Sequence, residues 1–315
     1  MIYRPIINVG LLAIPIVTTV GTLVGIDAHR LATGQRPLFA GEPHNSGSTV
    51  KSGLANTRYC DLFNPISPSS KGQLYTLNPN QWGVTEDTVG SLCMNITTIT
   101  NETYPTNTTA PGFSVTWQFE EESKKKVVHA FPNIKVDDVL PAALHEIQQL
   151  DLDLHWTYGV GNETVNSTNV ASLNDRSVNS NVALDLFFDN DKKVAQNVSE
   201  AKSEMMVWFA GFGDAYPFGF EDGIVKTKTL HGATFNLYTG QNGLGQNVLT
   251  WLAANITEKF NGDIYPLISD LFSLKGDVHL SRTDYLGHFS LGTEAFSSKS
   301  NVTFWVPTLR VNFQV

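Results

Sequence analysis

The sequence predicts an all-β protein, two antiparallel sheets packed as a sandwich or jelly roll with one helix. Three observations predict it. Apolar and polar residues alternate with period two in run after run. Turn clusters such as Asp189-Asn190-Asp191 and Gln241-Asn242-Gly243 separate the runs. Only residues 264–274 place apolar side chains at helical spacing, through Leu267, Ile268, Leu271 and Phe272.

Taken in order, the first segment is a targeting sequence. Arg4 precedes an uncharged, largely apolar stretch over residues 6–26. A basic start with an apolar core reads as a secretory signal. Its length equally suits a single membrane anchor, which needs about 20 residues. Residues 1–26 are therefore expected to be a signal peptide or membrane anchor. Residues 27–57 are polar, carry Gly and Ser, and show no clear periodicity. They are expected to be a linker or pro-segment. From Arg58 to the end the pattern is that of one β domain. Gln73-Leu74-Tyr75-Thr76-Leu77, residues 112–119, Thr234-Phe235-Asn236-Leu237-Tyr238 and Val302-Thr303-Phe304-Trp305-Val306 all alternate. The charged run over residues 120–126 falls between strand-like runs and is expected to be a solvated turn. There is no internal repeat.

Composition narrows the function. Only 16% of residues are charged, and the net charge is −9. That sign disfavours nucleic acid and anionic membrane surfaces as partners and fits a neutral or cationic one. Asn95, Asn101, Asn107, Asn162, Asn166, Asn197, Asn255 and Asn301 each begin an Asn-x-Ser/Thr sequon, as expected of a secreted glycoprotein. The two cysteines, Cys60 and Cys93, have one way to pair within the chain in an oxidising compartment. No CxxC, His-cluster or HExxH spacing occurs, so no metal and no cofactor are expected. A monomer is the default.

Two glutamates carry the chemistry. Glu204 lies in Ser203-Glu204-Met205-Met206-Val207-Trp208-Phe209 and Glu294 in Gly292-Thr293-Glu294-Ala295-Phe296, each alone among apolar and aromatic residues. Such a carboxylate is costly to bury without compensation, and a pair of them points to acid/base or nucleophilic work. Strand parity puts Glu204, Met206 and Trp208 on one face and Met205, Val207 and Phe209 on the core face. In residues 181–188, Leu184, Leu186 and Phe188 face the core, leaving Ala183, Asp185 and Phe187 on the other side. Three acids on non-core faces can then converge on one side of a sheet. Taken alone, a strand glutamate is a solvated surface residue and a methionine is core filler. Trp117 and Trp156 fit core or groove equally. Gly240-Gln241-Asn242-Gly243-Leu244-Gly245 resembles a nucleotide loop, but no helix of the required kind opens there, so it reads as a turn.

In order along the chain, Asn80-Gln81-Trp82-Gly83, Val182-Ala183-Leu184-Asp185-Leu186-Phe187, Glu204-Met205-Met206-Val207-Trp208 and Gly292-Thr293-Glu294-Ala295-Phe296 resemble glycoside hydrolase family 12. Ala130-Phe131-Pro132-Asn133-Ile134, Pro217-Phe218-Gly219 and Phe260-Asn261-Gly262-Asp263 add to the likeness, which runs from about Arg58 to Asn312. The resemblance implies a secreted endo-β-1,4-glucanase, a cellulase or xyloglucan-specific enzyme, built as a jelly roll with one helix and an open groove. It implies that Glu204 is the nucleophile and Glu294 the general acid/base, with Asp185 tuning the nucleophile. It implies that Asn80 and Trp82 hold sugars on the non-reducing side, that Met206 and Trp208 line the groove, and that Cys60 and Cys93 form a disulfide. The sequence departs from the family at Ser203, where a tyrosine is common, at Ala295, where a proline is frequent, and at Ser297-Ser298, which lacks a frequent glycine. Both glutamates survive these changes. The reading is a retaining hydrolase of β-1,4-glucans, with β-glucan as its partner and residues 58–315 as its catalytic domain. The rival is a non-catalytic glucan-binding or receptor-recognised jelly roll.

Overall fold

The computed structural model describes residues 48–51, 53–121, 127–274 and 280–315. The expected signal or anchor at residues 1–26, residues 27–47 and most of the charged run at 120–126 lie outside the described residues. Among the described residues no helix is long and apolar enough to cross a membrane.

Among the described residues seventeen strands form two sheets. The first sheet has the order β1 (Ser48–Lys51), β2 (Leu54–Tyr59), β4 (Gly90–Ile99), β5 (Gly112–Phe119), β17 (Val302–Gln314), β8 (Gln149–Val160) and β14 (Lys259–Asp263). The second runs β11 (Lys226–Leu230), β12 (Ala233–Gln241), β13 (Asn247–Ala253), β10 (Ser203–Phe212), β9 (Asn179–Asp189), β15 (Tyr285–Gly292), β6 (Asn133–Val136) and β3 (Tyr75–Asn78). Two short strands join it: β16 (Ala295–Ser297) on β9, and β7 (Ala142–Ala143) on β15.

The alternation seen in sequence is the alternation of burial. On β5, Phe113, Val115, Trp117 and Phe119 point inward and their neighbours outward. On β9 and β10, Val182, Leu184, Leu186 and Phe188 with Met205, Val207 and Phe209 enter the same core. The Phe304 ring lies 6.0 Å from Phe113, 6.4 Å from Trp156 and 5.5 Å from Tyr158. Fully burying one such side chain contributes roughly 1.5–3 kcal/mol. Buried polar tips find partners, because an unpaired one is costly: Trp117 Nε1 donates to Tyr158 Oη at 2.6 Å and Trp156 Nε1 to the Thr257 carbonyl at 2.9 Å. Trp117 and Trp156 both belong to the core.

Three details differ from the sequence expectation. Among the described residues there are two α-helices, α1 (Val170–Asp175) and α2 (Tyr265–Leu271). The second is the expected one, with Leu267, Ile268 and Leu271 buried. The first has six residues and one buried side chain, Leu173, so it offers no apolar stripe to read. Asn169 caps it, accepting from the Ser172 amide at 3.1 Å. Next, residues 48–51 and 54–57, placed by composition in the linker, pair as β1 and β2. Neither face of β2 is fully buried, and its exposed positions are Leu54, Asn56 and Arg58. Such a strand carries little apolar signal. Finally, one pair is not antiparallel: β10 runs parallel to β13, with Glu204 opposite Val248. The chain leaves β10, passes out to β11 and returns through β12. The β12–β13 turn is thereby brought to the end of β10 where Glu204 sits.

Candidate active site

The site lies on the face of the larger sheet that turns away from the core. Register fixes its floor. Glu204 stands opposite Phe187, Met206 opposite Asp185 and Trp208 opposite Ala183. Across the next ladder Asp185 meets Ser290 and Ala183 meets Gly292. A smaller apolar cluster of Ala183, Met206, Trp208 and Ala215, with Leu252 and Phe296 against it, forms on this face. Met206 and Trp208 are thus only 6% and 3% exposed, and Trp208 Nε1 donates to Met206 Sδ at 3.3 Å.

Glu294 enters from the turn between β15 and β16. Asn181, on the same face of β9 as Asp185, clamps it twice. Its Oδ1 accepts from the Glu294 amide at 2.9 Å, and its Nδ2 donates to Glu294 Oε2. Ser180 Oγ donates to the Glu294 carbonyl at 2.7 Å. The side chain is thus held from both its backbone and its carboxyl end.

Glu204 has a partner from the β12–β13 turn. Asn242 Nδ2 donates to Glu204 Oε2 at 3.2 Å and to Gln246 Oε1 at 2.7 Å, while Asn242 Oδ1 accepts from the Gln246 amide at 3.1 Å. Asp185 is hydrogen-bonded to Glu204 on its other side, and the buried Asp185 Oδ1 has no hydrogen-bond partner.

These surroundings set the charge states. Burial pushes Glu204 up to about 7, against the lowering effect of its hydrogen bonds to Asn242 and Asp185. Burial and the neighbouring Glu204 charge push Glu294 up to about 8, with Asn181 pulling the other way. Burial, then the charges of Glu204 and Glu294, raise Asp185 well above the usual carboxylate range. Like charges this close do not all ionise, so the three titrate as a group. The directions fit a protonated Asp185 that donates a hydrogen bond to Glu204. His288, edge-on to Phe187 at 5.6 Å, is held near 3 by burial and by Lys135 and stays neutral. Among the described residues no group of three or more His, Cys, Asp or Glu is placed to hold a metal ion.

Asn80 and Trp82 stand apart, in the turn after β3. The Asn80 carbonyl accepts from the Phe131 amide at 3.0 Å, and the Ala295 amide donates to the Ala130 carbonyl at 2.9 Å, so this turn flanks the Glu294 segment. Trp82 is 54% exposed. Between them Gln81 is buried, and its Nε2 donates to the Asp61 carbonyl at 3.0 Å. That ties the turn to the segment following Cys60, which forms a disulfide with Cys93.

Glycosyl hydrolase family 12 matches residues 73–313. The chain belongs to this family. Among curated relatives, a probable xyloglucan-specific endo-β-1,4-glucanase A of Neosartorya fischeri is 28% identical over 82% of this chain and 92% of its own length. A xyloglucan-specific endo-β-1,4-glucanase A of Emericella nidulans is 26% identical over 84% and 96%. Among solved structures, endoglucanase 3 of Trichoderma harzianum superposes with a TM-score of 0.65 at 20% identity, covering 84% of this chain and all of its own. A family 12 xyloglucanase from Bacillus licheniformis gives 0.58 at 18%, covering 82% and 99%. At these identities the structures show the shared fold. As a family member the chain is a glycoside hydrolase.

Two residues of the site were not legible as such in sequence. Asn181 has the parity of Asp185, so the alternation of β9 already placed it on this face. Asn242 gave no signal beyond a turn, because its reach to Glu204 depends on the parallel pairing of β10 and β13.

Proposed function

We propose that this chain is an extracellular retaining endo-β-1,4-glucanase, with xyloglucan as its foremost substrate. The observation that carries the chemistry is the assembly of Glu204, Asp185 and Glu294 on one side of the larger sheet, with Asn242 and Asp185 hydrogen-bonded to Glu204 and Asn181 to Glu294. The substrate rests on relatives that bear the name xyloglucan-specific endo-β-1,4-glucanase and align over 92% and 96% of their lengths. The disulfide and the eight sequons support the compartment.

In the first step Glu204 attacks the anomeric carbon as that carbon's bond to the leaving oxygen breaks. Glu294 gives its proton to that oxygen. Asp185, protonated beside Glu204, leaves the nucleophile ionised by donating a hydrogen bond rather than adding a charge. A glycosyl ester of Glu204 results. In the second step Glu294, now ionised, takes a proton from water, whose oxygen attacks the anomeric carbon and frees Glu204. Two inversions give net retention, which requires the carboxyl groups to stand about 5–5.5 Å apart. The electrostatic coupling of Glu204 to Glu294 supports such nearness. Asn80 and Trp82 hold sugars on the non-reducing side, the exposed indole serving as a stacking surface, while Met206 and Trp208 form the floor.

The test is reducing-end release from xyloglucan, mixed-linkage β-glucan and carboxymethyl cellulose by the secreted full chain and its Glu204→Ala variant. Release by the wild type alone, greatest from xyloglucan, is expected. A folded wild type that releases nothing from any of the three would replace this reading with glucan binding without catalysis.

A further inference from the structure

Three aromatic side chains on the connection between β10 and β11 take no part in the site described above. Tyr216 and Phe218 are 52% and 51% exposed, and Phe220 is half-buried. They are not loosely held. The Phe220 ring stacks on Tyr216 at 4.5 Å and packs tilted against Tyr238 at 5.1 Å. Tyr238 is a floor residue: it pairs with Thr250 of β13, which pairs with Met206 of β10. Three rings therefore climb from the floor of the site to solvent.

Phe218 is placed by glycines. A Cβ at Gly240 would lie 2.7 Å from Phe218 Cβ, so only a bare backbone lets the side chain settle on β12. Gly219 has φ +75°, a left-handed conformation, and its own Cβ would collide with the Thr239 carbonyl. Gly240 is in register with Val248, and Val248 with Glu204. Phe218 thus sits two strand spacings from the Glu204 backbone, roughly 10 Å across the sheet. The direction matters. Asp185, Glu294, Asn80 and Trp82 all lie from Glu204 toward β3, whereas Phe218 and Tyr216 lie toward β11.

We propose that Phe218 and Tyr216 form a second aromatic platform, which stacks sugar rings on the leaving-group side of the bond that is cleaved. The proposal rests on the glucanase reading above. A glucan lying on Trp82, with its scissile bond between Glu204 and Glu294, runs onward over β13 and β12 and meets these rings next. A pyranose presents a flat C–H face that buries well on an aromatic ring, and a ring already fixed by stacking, as Tyr216 is on Phe220, loses little freedom when a sugar lands on it. This platform makes the enzyme select chains that continue beyond the cleaved bond.

The test compares the secreted full chain with the Tyr216→Ala/Phe218→Ala double variant and with Phe218→Trp. The substrates are xyloglucan oligosaccharides long enough to cross both sides, and an aryl β-cellobioside whose leaving group is a single small ring. The double variant is expected to lose roughly 10-fold in kcat/KM on the long chains, several-fold more than on the aryl glycoside. It should also shift which internal bond of a defined oligosaccharide is cut. Phe218→Trp should retain the wild-type ratio of the two substrates. Equal losses on both, or none with the cleavage pattern unchanged, would overturn the platform. A wild type that cleaves neither substrate would instead remove the glucanase reading, and the platform with it.

Discussion

Glu204, Asp185 and Glu294 share one half-buried patch, and on the proposed mechanism their ionisation should govern both rate and stability. On the proposed mechanism the active form has Glu204 ionised and Glu294 protonated. kcat/KM should therefore follow a bell in pH, its acidic limb set by the Glu204–Asp185 pair and its alkaline limb by Glu294. Both limbs should lie above the ordinary carboxylate value, because burial raises all three groups. Asp185→Ala removes a hydrogen bond that lowers Glu204, so the acidic limb should move up; Asp185→Asn still offers an N–H donor and should move it less. A pH–rate profile of the three proteins checks this, and a downward shift for Asp185→Ala would be incompatible with the assigned role. Stability should respond in the opposite sense. The folded-state value for Glu294, about 8, exceeds the unfolded one, so folding binds a proton. Its contribution is complete below the unfolded value and is lost as pH rises through about 8. Glu294→Gln does not titrate, so its thermal midpoint relative to wild type should climb from about pH 5 to about pH 8. A difference flat in pH would show that Glu294 is not held protonated by the fold. The acids themselves were legible, because a glutamate amid apolar residues stands out. Their amide partners were less so: an asparagine in a strand or a turn looks the same whether or not it reaches a carboxyl group.

Individual elements explain how exposed residues are aimed. The Trp82 turn has no strand of its own. It hangs from the Leu62 and Asp61 carbonyls through the Gln81 amide and side chain, at 3.0 Å each. That segment is fixed in turn by the Cys60–Cys93 disulfide, which continues the β2–β4 ladder by one pair. The bridge spans 33 residues of chain, and on the chain-entropy account its loss costs about 3–4 kcal/mol. Cys60→Ser/Cys93→Ser should lower the denaturation midpoint accordingly. It should also raise KM on xyloglucan oligosaccharides more than it lowers kcat, since the acids lie on other strands. An unchanged KM would detach Trp82 from the disulfide. Long buried strands such as β5, β9 and β10 were plain from alternation, whereas β1 and β2 were not. On β2 no side chain is fully buried, so it has no apolar face to announce it. The six-residue α1 fails for the same reason, with Leu173 its only buried residue.

At the scale of the molecule, two sheets share one core, and the larger sheet keeps its outer face for chemistry. The division follows from period two: on β9 and β10 one parity supplies Leu184, Leu186, Val207 and Phe209 to the core, the other supplies Asp185 and Glu204 to the site. On the proposed function, the net charge of −9 should play no part in capturing a neutral glucan. Activity on xyloglucan should therefore change less than about twofold between roughly 0.05 and 0.5 M salt, a range over which screening weakens charged encounters. A steep fall would point to a charged substrate. The central claim is double displacement by Glu204 and Glu294. The most direct measurement is proton NMR of the anomeric signals during the first minutes of xyloglucan oligosaccharide hydrolysis. The account predicts that the β-anomer appears first and the α-anomer only later, by mutarotation. An α-anomer that appears first would mean single-step inversion and would contradict the covalent role of Glu204.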